Sequence, residues 1–226
     1  MNTSMPKTQQ LVHNRVSLAL HTLQTGSGTA LLLLHGLGEH SPDTVPEVVS
    51  RWPGPIYALD FTGHGHSSVP AGGGYSCEIL LADVDIALRH LGGACLLGRG
   101  IGAYIALLAA GARPELVYGA ILMDGPGLAG GATHISAVTE IATAGERSGK
   151  TPDPWALIEL SRDARPANYA STFARLSSTG ANGVDPITVC CVVQPPWIVA
   201  INEEPGVVTG LSVEEALENY AARKNI

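Results

Sequence analysis

Ile56-Tyr57-Ala58-Leu59-Asp60-Phe61-Thr62-Gly63-His64-Gly65-His66-Ser67 is a short apolar run that breaks into a glycine-containing turn. The run is continuous rather than alternating, the pattern of a strand buried on both faces of a parallel sheet. Three more segments repeat it: Ala30–Leu34 leads into His35-Gly36-Leu37-Gly38, Ala94–Leu97 into Gly98-Arg99-Gly100-Ile101-Gly102, and Val117–Met123 into Asp124-Gly125-Pro126-Gly127. Helical segments lie between. Ser76 precedes a stretch whose Leu80, Val84, Ala87, Leu88 and Leu91 share one face, and Gly100–Ala110 is small and apolar throughout. This alternation predicts an α/β fold, a doubly wound and mostly parallel sheet. Ligands of such sheets bind at the carboxyl ends of the strands, where all four turns lie.

Gly127–Pro186 interrupts the rhythm. It is rich in Gly, Ser, Thr and Pro, with helix-like stretches at Trp155–Leu160 and Tyr169–Leu176, and reads as a small helical cap. The expected organisation is a core over residues 1–126, a cap over 127–186, and a shortened C-terminal part of the core, strand plus helix, over 187–226. Ile187–Val193 reads as the last buried strand, and Ser212-Val213-Glu214-Glu215 as a capping box opening the final helix. Residues 1–10 are expected to be disordered, and His13, His21 and His90 to lie on the surface.

Composition narrows the functional classes. The 226 residues carry a net charge of −7, with 13 Lys and Arg that never cluster, which argues against nucleic acid and anionic membranes as partners. No apolar run approaches the roughly 20 residues of a spanning helix, and Met1–Gln10 lacks a secretory hydrophobic stretch. The four cysteines, Cys77, Cys95, Cys190 and Cys191, show neither disulfide-framework nor zinc-ligand spacing. They read as small hydrophobes in a reducing cytoplasm, and neither a metal nor a cofactor is expected.

Three of the turns resemble the α/β-hydrolase superfamily, in that family's order. His35-Gly36-Leu37-Gly38 resembles its H-G-x-G turn, Asp60–Ser67 matches its D-x-x-G-H-G-x-S block, and Gly98–Gly102 occupies its G-x-S-x-G nucleophile elbow. The resemblance implies a hydrolase core, and it also shows what is missing. The nucleophile slot holds Gly100, and no histidine follows His134, although the family's catalytic base follows its last strand. The acid slot falls near Gln194, with Glu203 and Glu204 nearby. Asp124 and His134 are the remaining candidates for chemistry, and an Asp–His pair would serve as a general base. A glycine elbow running into Gly102-Ala103-Tyr104 is also similar to the non-catalytic N-myc downstream-regulated family.

The resemblance further implies an oxyanion hole, formed by the backbone N–H groups of Leu37 and Ile101 with Gly36, Gly38 and Gly100 shaping the turns. With Arg99 as a carboxylate clamp, these residues would bind a small carbonyl- or carboxylate-bearing ligand without catalysis. Other histidines of the turns, His35 and His64, with Asp60 and Ser67, are expected to hold those turns by hydrogen bonds. Trp155, Arg162, Asp163, Arg165 and Trp197 are candidates for lining the pocket, although a solvated helix face is the commoner fate of such charges. Two rival readings stand beside this one. A hydrolase or lyase would act on a small ester, amide or ketone through non-standard residues. A dinucleotide-binding turn would use Gly98–Ala103, which also fits G-x-G-x-x-G/A, with Asp124 as the ribose-binding acid.

Overall fold

The computed structural model describes residues 7–13, 15–128, 151–161, 165–180 and 185–223. The apolar runs form β3 (Leu31–Leu34), β4 (Ile56–Leu59), β5 (Ala94–Arg99) and β6 (Val117–Met123), all parallel to one another. They sit at the centre of an eight-stranded sheet of order β1-β2-β4-β3-β5-β6-β7-β8. β1 (Lys7–His13) and β2 (Val16–Gln24) form an antiparallel hairpin on the β4 edge, while β7 (Ile187–Val189) and β8 (Val207–Thr209) extend the parallel side beyond β6.

Alternate side chains of the central strands feed two cores. Leu32, Leu34, Leu96 and Leu122 pack with α1 (Cys77–Leu91), α2 (Ile101–Ala112), α4 (Asn168–Gly180) and α5 (Pro196–Ile201). Leu31, Leu33, Leu97 and Ile121 pack on the other face with Val49, Trp52 and α6 (Val213–Ala221). Burial on both sides is why these strands carry no polar alternation. α2 is buried along nearly its whole length, and its small residues bring it against the sheet. A Cβ on Gly102 would lie 2.6 Å from the His35 carbonyl oxygen, so the glycine sets how close helix and strand backbones come.

The helix ends follow local chemistry. α6 opens with the expected capping box: Ser212 Oγ accepts from Glu215 N–H, and the Glu215 carboxylate accepts from Ser212 N–H. Ser76 stands at the N-cap of α1, but its hydroxyl makes no capping hydrogen bond. Of the segment read as a cap, the helix-like stretches correspond to α3 (Pro154–Glu159) and α4. α4 lies on α2, where a Cβ on Gly111 would meet Phe173, and buries Ala170 and Ala174 in the larger core. No disulfide joins the four cysteines, and no helix among the described residues is long and apolar enough to cross a membrane.

Three expectations are corrected. Residues 7–10 are ordered, because β1 pairs with β2 along its full length and buries Leu11. The strand expected over 187–193 ends at Val189 and is not the last, since β8 pairs with it in parallel. His21 is buried, at 6% exposure, with both ring nitrogens hydrogen-bonded.

Candidate functional site

β5 ends at Arg99, and the chain turns at Gly100 into α2. Gly100 has φ 57° and ψ −121°, a conformation that a side chain makes costly and glycine adopts freely. The space a side chain would occupy is already filled. A Cβ there would lie 2.6 Å from the Gly125 carbonyl carbon and overlap the Pro126 carbonyl oxygen.

Asp124-Gly125-Pro126-Gly127, leaving the end of β6, lies across the elbow. The Pro126 carbonyl oxygen accepts hydrogen bonds from Leu37 N–H at 2.9 Å and from Ile101 N–H at 3.0 Å. These are the two donors expected to form an oxyanion hole, and they converge on one oxygen that belongs to the chain itself. Glycines on both sides make the fit. A Cβ on Gly36 would lie 2.6 Å from Pro126 Cδ, one on Gly125 2.6 Å from Gly100 N, and one on Gly127 2.9 Å from Ile101 Cβ. Leu128 closes the segment at φ 51° with its side chain buried. That backbone costs about 1–3 kcal/mol, and burial of the leucine, worth roughly 2 kcal/mol, offsets it.

The other predicted residues are held in structural bonds. Arg99, half exposed, forms a two-point ion pair with Glu39 at 2.9 Å for each contact, and Glu39 in turn accepts from Gly36 N–H. Asp124 accepts from Val192 N–H and Val193 N–H, which draws the chain away from the sheet after β7. Gly38 N–H donates to His64 Nε2, while His64 Nδ1 lies 3.2 Å from the Thr62 carbonyl. His35 Nε2 accepts from Phe61 N–H, and Nδ1 donates to the Gly36 carbonyl. Burial, reinforced by the neighbouring His64, pushes the His35 imidazole down to about 3, and burial lowers His64 as well. Both rings are therefore neutral props of their turns, with each nitrogen in use. His134, Arg162 and Asp163 lie outside the described residues. Arg165 pairs with Glu78 and stacks on Tyr169, Trp155 is exposed, and Trp197 meets Tyr104 edge-on. Of the two glutamates near the acid slot, Glu204 is paired with Arg175 through both carboxylate oxygens, and Glu203 is exposed.

Sequence reasoning missed Pro126, because the atom that matters is a backbone carbonyl. The flanking Gly125 and Gly127 were the available signal: two glycines around a proline permit close approach of backbone to backbone. Asp60 and Ser67 hold their turn by hydrogen bonds as expected, but sequence reasoning missed that His21 joins them. The fully buried Asp60 carboxylate accepts from His21 Nε2 at 3.0 Å and from the backbone N–H groups of Ser41 and His66 at 2.7 Å each. Burial opposes its charge, yet these hydrogen bonds prevail and hold the acid well below the usual carboxylate range. Ser67 Oγ donates to the Asp60 carbonyl and accepts from Ala19 N–H, tying the block to β2.

Strand order, elbow and turns together define the class. Residues 31–222 match the alpha/beta hydrolase family, and the chain belongs to it. A curated relative, Esterase Rv0045c of Mycobacterium tuberculosis, is 33% identical over 103 residues, which is 44% of this chain and 34% of the esterase. The chain thus spans about a third of that relative's length. Among solved structures, the thioesterase domain from the curacin biosynthetic pathway superposes with a TM-score of 0.65 at 14% identity, covering 97% of this chain and 99% of that one. A deformylase of Pseudomonas putida S16 gives 0.62 at 16% identity, covering 90% and 91%. At these identities the likeness is one of fold.

Proposed function

We propose that this chain is a non-catalytic α/β-hydrolase-fold protein that binds a small carboxylate- or carbonyl-bearing ligand at the former active site. One observation carries the reading: the Leu37 and Ile101 N–H groups converge on the Pro126 oxygen in the place where the family stabilises an oxyanion. Gly100 supplies no nucleophile, and His35 and His64 have no free nitrogen to act as a base. A ligand oxygen enters by replacing the Pro126 carbonyl, with the glycines at 125 and 127 absorbing the backbone change. A carboxylate gains more than a neutral carbonyl, because its hydrogen bonds are charge-assisted and the N-terminus of α2 favours negative charge.

Titration of ¹⁵N-labelled protein with acetate and then benzoate tests this. The expected result is saturable shifts of the Leu37, Ile101 and Gly127 amides. Saturable binding that leaves these amides unmoved would refute it. The second reading, hydrolase or lyase action on a small ester, amide or ketone, draws on the esterase relative. It requires turnover that disappears in Asp124→Asn or His134→Ala.

A further inference from the structure

Three side chains converge beside the β1–β2 hairpin. Asp60 directly follows β4, His21 comes from β2, and His66 comes from the turn after β4. His21 Nε2 lies 3.0 Å and His66 Nδ1 3.5 Å from Asp60 Oδ2, and the three atoms all fall within 4.8 Å of one another. Ligands of a tetrahedral zinc ion at 2.0–2.1 Å are about 3.3 Å apart, close to the two distances from the imidazoles to Asp60 Oδ2. We propose that His21, Asp60 and His66 form a site for a divalent transition-metal ion of the zinc class. The proposal is independent of the reading of the elbow.

Four features support it. Asp60 is fixed in direction by backbone donors on both oxygens, Ser41 N–H on Oδ1 and His66 N–H on Oδ2. Gly65, at φ 49°, leaves the room in which the carboxylate sits, since a Cβ there would overlap it. His21 has an outer partner, because its Nδ1 lies 2.9 Å from Thr8 Oγ1. With Nδ1 protonated and donating to that hydroxyl, Nε2 presents its lone pair to the metal, the arrangement that orients ligating histidines. Finally, the His66 side chain is 74% exposed, so it can swing the last few tenths of an ångström. Its exposure also leaves the fourth position open to water.

Two imidazoles and one carboxylate select zinc, cobalt, nickel or iron(II) over magnesium and calcium, which prefer all-oxygen shells. Binding breaks the hydrogen bond between His21 Nε2 and Asp60: the neutral imidazole carries its one proton on Nδ1 instead, where Thr8 Oγ1 accepts it, and the carboxylate remains ionised. The set is drawn from separated stretches of sequence, which is why ligand spacing along the chain gives no hint of it.

The test is Co²⁺ and Zn²⁺ binding to the chelator-stripped full chain, read by the visible spectrum of Co²⁺, by competition for Zn²⁺, and by thermal stabilisation. The expected result is one ion per chain with a four-coordinate cobalt spectrum. His66→Ala, which keeps the backbone N–H to Asp60, should weaken affinity by more than about tenfold and abolish the thermal shift. His66→Cys should retain binding with an altered spectrum, and Thr8→Val should weaken it by about tenfold through the lost outer partner. His90→Ala, an exposed control, should change nothing. No stoichiometric binding, or binding that survives His66→Ala undiminished, would overturn the proposal.

Discussion

Gly100 and Pro126 exclude any side chain between them: the Pro126 carbonyl oxygen lies where a Cβ of residue 100 would be, held there by the N–H groups of Ile101 and Leu37. Restoring a serine therefore does more than add a hydroxyl. Gly100→Ser must displace Gly125–Gly127 and place a side chain at φ 57°. The expected cost is about 2–4 kcal/mol in denaturant unfolding, the sum of backbone strain and overpacking. No esterase activity should appear on p-nitrophenyl acetate, because no base among the described residues is placed to activate the hydroxyl.

Gly127 has φ 108°, and a Cβ on it would press on Ile101 and Leu37. Gly127→Ala should lift the segment off both donors. Native-state hydrogen exchange is expected to accelerate at the Leu37 and Ile101 amides. The amides of β5, such as that of Leu97, should be affected far less. Equal acceleration everywhere would indicate global destabilisation instead.

Arg99 is engaged by Glu39 and half exposed, so its pair contributes little to stability. Arg99→Ala should cost under about 1 kcal/mol. If the arginine leaves Glu39 for an incoming carboxylate, the same variant should weaken benzoate binding at least about fivefold. An unchanged affinity would assign Arg99 to the rim alone.

Among the buried groups whose protonation is shifted, His35 and Asp83 make stability depend on pH with opposite signs. His35 is neutral in the fold down to about 3, whereas the unfolded chain takes up its proton below about 6.5. Its contribution is thus complete above pH 6.5 and falls as pH drops toward 3. Asp83, whose oxygens accept from Thr62 N–H and Oγ1, is pushed up to about 7 by burial. The unfolded chain ionises this acid from about 3.8 upward, so stability falls as pH rises from there to 7. Relative to wild type, Asp83→Asn should gain stability across that interval, and His35→Gln should lose its deficit as pH falls. Urea unfolding at pH 4, 5.5 and 7 separates the two.

The parts of the fold legible in sequence are those that physics makes uniform. β3 to β6 are buried on both faces, so each reads as an unbroken apolar run, and the turns that follow are punctuated by glycines with steric work to do. β1 buries only Leu11 and β8 is at most half buried, so neither leaves such a run. Both edges of the sheet therefore escaped notice, and with β1 went the burial of His21. At the site, the elbow glycine and the two N–H donors follow from the motif. The oxygen that fills their cradle does not, because a main-chain carbonyl has no letter of its own. Arg99 is similar: its charge suggests a clamp, but its partner Glu39 is fixed only once the H-G turn folds and Gly36 N–H orients the acid.

The elbow turn at Gly100 is kept without a nucleophilic side chain. Intact-mass analysis after incubation with a broad fluorophosphonate, beside a labelled control hydrolase, tests this most directly. Unmodified protein is the expected result. A stoichiometric adduct on the folded chain would contradict it, and peptide mapping would then name the nucleophile.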